Sequence, residues 1–196
     1  MKQEVRIIGG HHRGKKITFP DELGLRPTPS RIRETLFNWL MNTVRGARCL
    51  DAFAGSGALG FEAWSRGACA VTLLEQSRTT SQHLKKQAIA FDTNMLHVIH
   101  TDAISYLKNQ PPVFDLIFLD PPFGKPQLLL DSIACLEQSS TLRPGGLLYT
   151  ESSEALTLNP ALWETLKFKK AGHVIYGLHQ KHENNTCAST SSDPAA

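Results

Sequence analysis

Apolar runs and helically spaced apolar positions alternate along most of the chain. Continuous apolar runs, typical of strands buried on both faces, lie at residues 49–54, 70–74, 96–100, 116–119 and 147–150. Helical patterns lie at residues 28–41, 55–66, 77–91, 103–108, 127–138 and 160–166, with a turn at 143–146. Two further strands, at 167–171 and 174–180, follow without a helix between them. The pattern predicts an α/β, Rossmann-like fold: a mostly parallel seven-stranded sheet with helices on both faces and one antiparallel strand.

The first residues predict a small basic β-hairpin. Val5–Ile8 and Lys15–Phe19 are short strand-like runs, and the Gly-Gly-His-His-Arg-Gly segment between them is typical of a turn. In the helix that follows, Thr28 is the predicted N-cap and Pro29 the first helical residue. We therefore divide the chain into a basic N-terminal hairpin, a main domain with a leading helix, and a polar tail expected to be disordered, at residues 1–24, 25–182 and 183–196.

The net charge of +3 is unevenly distributed along the chain. Residues 1–48 hold ten Lys/Arg and four Asp/Glu, whereas residues 49–196 hold eleven and fourteen, so a basic front precedes a mildly acidic body. This asymmetry indicates a polyanion partner, although a solvated basic surface, or charges that protect an edge hairpin from aggregation, would look the same. The candidate nucleic-acid contacts are Arg6, His11, Arg13, Lys15 and Lys16 on the hairpin and Arg26, Arg31 and Arg33 near the helix start.

Several protein classes are disfavoured by composition. No apolar run approaches the roughly 18 residues of a membrane helix, and the N-terminus lacks the apolar stretch of a signal peptide. The four cysteines show no C-x-x-C spacing, so neither a zinc site nor a disulfide framework is expected. We expect a cytoplasmic monomer that requires no metal and no membrane.

A glycine-rich loop follows the first strand of the main domain. Gly55-Ser-Gly-Ala-Leu-Gly60 matches the pattern G-x-G-x-x-G, which nicotinamide enzymes, flavin enzymes and methyltransferases share. Asp51, just upstream, would repel a pyrophosphate on the helix N-terminus but attract the sulfonium and ammonium groups of S-adenosylmethionine. The loop therefore favours S-adenosylmethionine, held by Asp51, Phe53, Ala54, Gly55 and Gly57.

Two more acids end the next two predicted strands. Glu75 has the position of a carboxylate that accepts both ribose hydroxyls, and Asp102, with Ala103 beside it, could accept a hydrogen bond from the adenine amine. Each acid alone could equally be a helix cap. Three acids at successive strand ends favour a ligand site.

The segment Asp120-Pro-Pro-Phe123 carries the predicted chemistry. It follows a buried strand, and its prolines make the chain leave the sheet at the edge where ligands bind. Asp120 and the carbonyl of Pro121, which Pro122 biases toward an extended conformation, could accept the two N–H groups of an exocyclic base amine. The nitrogen lone pair would then face the methyl donor, while the base lies against Phe123. A proline-rich turn with Asp120 as a cap is the structural alternative.

The motifs LDAFAGSGALG, LLEQ and LDPPF resemble those of class I methyltransferases that modify amino groups. VRIIGGHHRGKKI, RPTPSRIRETLFNWL and AGHVIYGLHQK add a resemblance to the RsmD family, over about residues 4–181. The resemblance implies methylation of the N2 amine of a guanine in 16S ribosomal RNA, within an assembled small subunit, with S-adenosylhomocysteine as co-product. It also implies that Arg26 and Thr28 lie at the front of the active site, near cofactor or RNA. His12 and Gly177 depart from the family pattern.

Three alternatives remain open on sequence. An N6-adenine methyltransferase of DNA or RNA also uses D-P-P-[FYW], but the DNA enzymes usually carry an added recognition domain. Protein-glutamine methylation usually shows Asn at the position of Asp120. A non-catalytic RNA-binding module would have no need for Asp120 together with Asp51 and Glu75.

Overall fold

The computed structural model describes residues 3–20, 27–91, 93–109 and 114–183. The first two strands form an antiparallel hairpin, β1 (Gln3–Arg6) and β2 (Lys16–Phe19). The other strands form a seven-stranded sheet: β3 (Arg48–Asp51), β4 (Ala70–Glu75), β5 (Leu96–His100), β6 (Phe114–Leu119), β7 (Leu142–Ser152), β8 (Trp163–Ala171) and β9 (Val174–Lys181). The helices are α1 (Ser30–Trp39), α2 (Ala58–Ser65), α3 (Arg78–Ile89), α4 (Ala103–Asn109) and α5 (Pro126–Gln138).

The strand order of the large sheet is β5-β4-β3-β6-β7-β9-β8. Strands β3 to β7 are parallel, and β9 is inserted antiparallel between β7 and β8. The chain moves outward from β3 to β5 and then returns to β6 on the other side of β3. At such a reversal the loops leave in opposite directions, so a crevice opens beyond the carboxyl ends of β3 and β6.

Helices cover both faces of the sheet. Buried side chains of α1, α2 and α3 join one hydrophobic core, and those of α4 and α5 join the other. The apolar run of β6 serves both: Leu116 and Phe118 pack in the first core, and Ile117 and Leu119 in the second. Because each side chain is almost fully buried, each stabilises the fold by about 1.5–3 kcal/mol. The predicted α/β class, its mostly parallel sheet and its N-terminal hairpin are confirmed.

The helix predicted over residues 160–166 is wrong. Pro160 lies in a turn, and β8 begins at Trp163, whose backbone pairs with Lys181 of β9. The buried indole of Trp163 donates a hydrogen bond from Nε1 to Glu137 at 3.0 Å. These contacts with residues far along the chain outweigh the local helical pattern, since propensity is a weak constraint beside tertiary packing.

The turn predicted at 143–146 lies inside β7. The pairing with β6 shifts here, from Phe114 opposite Leu142 to Leu116 opposite Leu147, so the intervening residues form an irregularity within the strand. Gly145 takes a left-handed backbone conformation (φ 70°) at this point. The glycines that predicted a turn lie instead at this irregularity of the strand, where the positive φ of Gly145 suits a residue without a side chain.

The start of α1 also differs from its prediction. The N-cap position is Pro29, which makes no side-chain capping bond, and the hydroxyl of Thr28 is directed elsewhere, to Asp120. The predicted disordered tail falls, apart from residue 183, outside the described residues. No helix in the described part of the chain is long and apolar enough to cross a membrane.

Glu62 of α2, which is fully buried, holds the hairpin against the main domain. Its carboxylate accepts hydrogen bonds from the backbone N–H groups of Ile8 (2.8 Å) and Gly9 (2.9 Å). The same carboxylate forms ion pairs with Arg33 (3.3 Å) and Arg66 (2.8 Å). With donors on both oxygens, this buried charge is compensated on several sides.

The hairpin turn approaches α2 so closely that a side chain could not be accommodated. The N–H of His11 donates to the carbonyl of Ser65 at 2.8 Å. Gly10 has φ of 77°, and a Cβ added there would lie 1.8 Å from the same carbonyl oxygen. The glycine therefore permits the docking of the hairpin, through both its backbone conformation and its lack of a side chain.

Candidate active site

A cleft of about 930 Å³ opens at the carboxyl ends of β3, β4, β6 and β7. The predicted site residues that line it are Thr28, Asp51, Phe53, Ala54, Gly55, Glu75, Asp102, Ala103, Asp120, Pro121, Pro122 and Phe123. Gly57 does not line the cleft. It lies behind the loop, where an added Cβ would be 2.5 Å from the ring of Phe61. Segments that are distant in the sequence thus meet beyond the carboxyl ends of β3 and β6, where the strand order reverses.

Asp51 ends β3 and is buried beneath the glycine-rich loop. Its Oδ2 accepts the N–H of Gly60, an amide in the first turn of α2, at 2.9 Å. Burial raises the pKa of the Asp51 carboxyl to about 7, and the negative charges of Asp120 and Glu75 add to this rise. The protein's own carboxylate therefore occupies a helix N-terminus that a pyrophosphate would need. This arrangement suits a ligand with positive charge.

Glu75 and Asp102 both make local capping bonds. Glu75 accepts the N–H of Gly55 at 3.0 Å and that of Ser77 at 2.7 Å, so it holds the glycine-rich loop against the start of α3. Asp102 accepts the N–H of Ser105 at 2.9 Å, as a cap of α4. A carboxylate offers about four acceptor positions, and both side chains line the cleft, so a capping bond does not preclude a bond to a ligand. The capping and ligand readings are therefore compatible.

Asp120 follows β6 and receives a hydrogen bond from the hydroxyl of Thr28 at 2.9 Å. Burial raises the pKa of the Asp120 carboxyl to about 6, and the Thr28 bond opposes that rise. The carboxylate is thus mostly ionised at neutral pH and held in one orientation. The next residues place a carbonyl and a ring nearby: Pro121 is buried, whereas Phe123 is 49 % exposed.

The two proline carbonyls that follow Asp120 differ in the bonds that they make within the described residues. The carbonyl of Pro122 accepts the N–H of Lys125 at 2.8 Å. Among the described residues no donor is bonded to the carbonyl of Pro121. The site therefore offers two neighbouring acceptors, Asp120 and the Pro121 carbonyl, as the two N–H groups of an amine require.

Glu151, near the end of β7, also lines the cleft and was missed by the sequence analysis. It is only 2 % exposed, and its Oε1 accepts a hydrogen bond from the hydroxyl of Tyr149 at 2.9 Å. Burial, with the charge of Asp120 next in importance, raises the pKa of the Glu151 carboxyl to about 8. The sequence does contain a pattern that could have indicated Glu151: it is an acid that follows the apolar run 147–150, as Asp120 follows the run 116–119.

Comparison with known proteins agrees with this geometry. The family model described as Conserved hypothetical protein 95 matches residues 5–180. Ribosomal RNA small subunit methyltransferase D of Escherichia coli (strain K12) is 44% identical over 180 residues, which cover 91% of this chain and 90% of that protein. The chain belongs to the RsmD family. The Haemophilus influenzae protein of the same name is 45% identical over 185 residues, which cover 91% of this chain and 95% of that protein.

Solved structures show the fold of this RsmD family member in other proteins. The Escherichia coli protein yhhF has a TM-score of 0.85 at 43% identity, covering 92% of this chain and 99% of that chain. The Thermus thermophilus 16S rRNA N2 G1207 methyltransferase RsmC, solved with AdoMet and guanosine, has a TM-score of 0.67 at 24% identity, covering 93% of this chain and 50% of that chain. The second similarity is one of fold.

The basic residues predicted to contact RNA fall into different environments in this RsmD chain. The prediction that Arg33 contacts RNA is wrong. This side chain is 1 % exposed and paired with Glu62, so it cannot reach a nucleic acid. Lys15 donates to the carbonyl of Ala90 and lies 3.9 Å from the centroid of the Phe91 ring. These groups hold the hairpin in place, a role that a count of charges does not reveal.

The remaining predicted cations that lie within the described residues are exposed. Lys16 forms an ion pair with Glu4 at 3.0 Å, and Arg6 lies 3.9 Å from the same carboxylate. His11, Arg13 and Arg31 are exposed, and within the described ranges no ion pair engages Arg13 or Arg31. Arg26 lies outside the described residues. Arg13 and Arg31 are therefore the strongest candidates for contacts with phosphate.

Proposed function

We propose that this protein transfers a methyl group from S-adenosylmethionine to the exocyclic N2 amine of a guanine in 16S ribosomal RNA of the small ribosomal subunit, as a cytoplasmic monomer. The observation that carries the proposal is the placement of Asp120, which is held by Thr28 in the same cleft as Asp51 and Glu75. The names of the curated relatives support ribosomal RNA as the substrate.

The residues of the cleft fit S-adenosylmethionine. It supplies a methyl group bound to a positively charged sulfur. Asp51 provides negative charge where a dinucleotide would need a site for an anion, and Glu75 lines the cleft with a carboxylate, a group that accepts hydrogen bonds from hydroxyl groups. The product of the cofactor would be S-adenosylhomocysteine, which keeps the ammonium group but lacks the positive charge on sulfur.

Asp120 and the Pro121 carbonyl act on the amine. By accepting its two N–H groups they turn the nitrogen lone pair away from the ring, toward the donor side of the cleft. Phe123 offers an exposed face to a base that has left its stack. Positioning and charge stabilisation then provide most of the rate enhancement. As the nitrogen gains positive charge, Asp120 or water accepts the proton that it releases.

The direct test is mass spectrometry of nucleosides from 16S RNA of cells that lack the protein. We expect one N2-methylguanine to be lost and to return when the wild-type gene is restored, but not when Asp120→Ala is supplied. Loss of an N6-methyladenine instead would favour the adenine reading. An unchanged nucleoside profile would favour a non-catalytic module and remove the proposal.

We expect methyl transfer to depend on pH through Asp120. Because the pKa of Asp120 is raised to about 6, the carboxyl becomes protonated as the pH falls below that value. The neutral carboxyl can then no longer accept the N–H of the amine as a charged group. The rate at saturating cofactor should fall about tenfold between pH 7.5 and pH 5, with its midpoint near pH 6. Single-turnover rates across this range measure the profile; a flat profile would contradict the role of Asp120 as the ionised acceptor.

We expect Arg13→Gln combined with Arg31→Gln to weaken binding to RNA or to the particle in a salt-dependent way. Loss of two phosphate contacts should lower the slope of log K against log salt by about 1.5–2. The matched control is Arg45→Gln with Arg48→Gln, two exposed cations near the start of β3, at the opposite edge of the sheet from the cleft. Equal slopes for the two double variants would make the basic front a structural feature only.

A further inference from the structure

Asp120 and Glu151 are neighbours across two parallel strands. Leu119 of β6 pairs with Thr150 of β7, and the two acids are the next residue on each strand. Paired strands lie about 4.8 Å apart, so the two side chains start from adjacent positions at the same edge of the sheet. Both line the cleft. The site therefore contains a second carboxyl group beside the one assigned to the target amine.

The carboxyl of Glu151 is held firmly in a place where burial is costly. It is 2 % exposed, and it accepts from the hydroxyl of Tyr149, a residue that is itself fully buried. Within the described part of the chain no Lys, Arg or His forms an ion pair with it. A buried acid without a cation destabilises the fold, so its position beside Asp120 calls for a function. Burial raises the pKa of the Glu151 carboxyl to about 8, and the negative charges of Asp120 and Asp51 add to this rise.

Guanine differs from the other bases in the edge that carries its amine. Beside the N2 amine, which donates, lies ring nitrogen N1, which also carries a hydrogen. In adenine and cytosine the ring nitrogen next to the amine has a lone pair and accepts instead. An ionised Glu151 beside Asp120 thus matches guanine and opposes the other two amines, because a carboxylate that faces a lone pair is left without its hydrogen bond.

We infer that Glu151 is a specificity-determining residue: its carboxylate accepts the N1–H of the target guanine while Asp120 and the Pro121 carbonyl hold the N2 amine. The inference rests on the proposed function and deepens it, since it assigns the choice of guanine to a residue. The hydroxyl of Tyr149 orients the carboxyl of Glu151 by donating to it. The hydrogen bond from N1–H stabilises the ionised form of Glu151 when guanine is bound and so compensates part of its burial.

The test replaces the target guanine by 2-aminopurine, which keeps the 2-amino group but has a lone pair at N1. Small-subunit particles are assembled with 16S RNA that carries either base at the mapped methylation position. For the wild-type protein assayed above pH 8, where Glu151 is ionised, kcat/KM should be about 10- to 100-fold higher for guanine. For Glu151→Gln the guanine value should fall, and the preference should shrink to within about threefold, since an amide donates as well as accepts.

Two controls isolate the effect. Glu154→Gln makes the same chemical change at an exposed residue just beyond β7 and should keep the wild-type preference. The ratio of the two substrates in one preparation does not depend on how much of the protein is folded, so a loss of stability cannot imitate the result. If Glu151→Gln acts on neither substrate, Tyr149→Phe decides, because loss of the orienting hydroxyl should lower the preference for guanine.

The outcomes separate the two proposals. A preference for guanine that survives in Glu151→Gln, or in Tyr149→Phe where that variant decides, overturns the role of Glu151 and leaves the proposed function intact. Equal activity of the wild-type protein on both substrates would also overturn the role of Glu151 and leave the proposed function intact. A wild-type protein that methylates neither particle overturns both proposals.

Discussion

Asp120→Ala is expected to reduce methyl transfer by about 10²–10³-fold while cofactor binding persists. The carboxylate receives the Thr28 hydroxyl at 2.9 Å and has a pKa raised to about 6 by burial, so it is both oriented and mostly ionised at neutral pH. Loss of one preorganised polar group at a reacting centre typically costs that much in rate. Single-turnover transfer measures the loss, and calorimetric titration with S-adenosylmethionine measures cofactor affinity.

Asp120→Asn refines the same prediction. Its amide oxygen can still accept one N–H of the amine, and the Thr28 hydroxyl can still donate to it. The variant should therefore keep more activity than Asp120→Ala but lose the acid limb near pH 6, because an amide does not titrate there. Asp131→Ala, an exposed acid on α5, serves as a control with unchanged rate. A rate for Asp120→Ala within threefold of wild type would refute the catalytic assignment.

Arg33→Ala is expected to lower the free energy of unfolding by about 3–5 kcal/mol, which corresponds to a fall in melting temperature of roughly 6–20 °C for a chain of this size. The guanidinium is 1 % exposed and pairs with the fully buried Glu62. It also donates to the carbonyls of Arg6 (3.1 Å) and Thr28 (3.1 Å). Removing it leaves a buried charge less compensated and two carbonyls without this donor.

Urea denaturation and thermal melts measure the effect of Arg33→Ala. The control is Arg31→Ala, an exposed arginine on the same helix, which should change the free energy of unfolding by no more than about 0.5 kcal/mol. Equal changes in the two variants would contradict the structural role of Arg33. Since Arg33 holds the backbone of Thr28, and Thr28 orients Asp120, we also expect Arg33→Ala to slow methyl transfer at temperatures where it remains folded.

Much of the fold could be predicted because local patterns and burial agreed. The run Leu116–Leu119 is apolar at every position since alternate side chains enter the two cores. Ser77 was predicted to start a helix, and its side chain does cap α3 by accepting the N–H of Thr80 at 3.2 Å. Where a local signal competed with distant partners, prediction failed: Pro160 lies in a turn before β8 instead of starting a helix, because pairing with β9 determines the path of the chain.

The candidate site divides in the same way. Asp51, Glu75 and Asp120 could be found because parallel strands bring their carboxyl ends to one edge, so acids that end apolar runs must meet. Arg33 was misassigned because its charge suggested solvent and phosphate, whereas its partner Glu62 is 29 residues away in the sequence. Thr28 was predicted to be a helix cap because nothing in the neighbouring sequence indicates that its hydroxyl bonds to Asp120, which lies 92 residues later.

The sequence by itself determined the fold class, the strand-end acids and the Asp-Pro-Pro-Phe segment, because these depend on the order of apolar and polar residues along short stretches. Only the tertiary structure decided which cations are buried, how the hairpin docks on Glu62, and that Glu151 lies next to Asp120. The physical reason is that burial and strand register arise from contacts between distant segments. Strand register placed Glu151, which the sequence analysis had missed, beside Asp120, and it is now the residue proposed to select guanine.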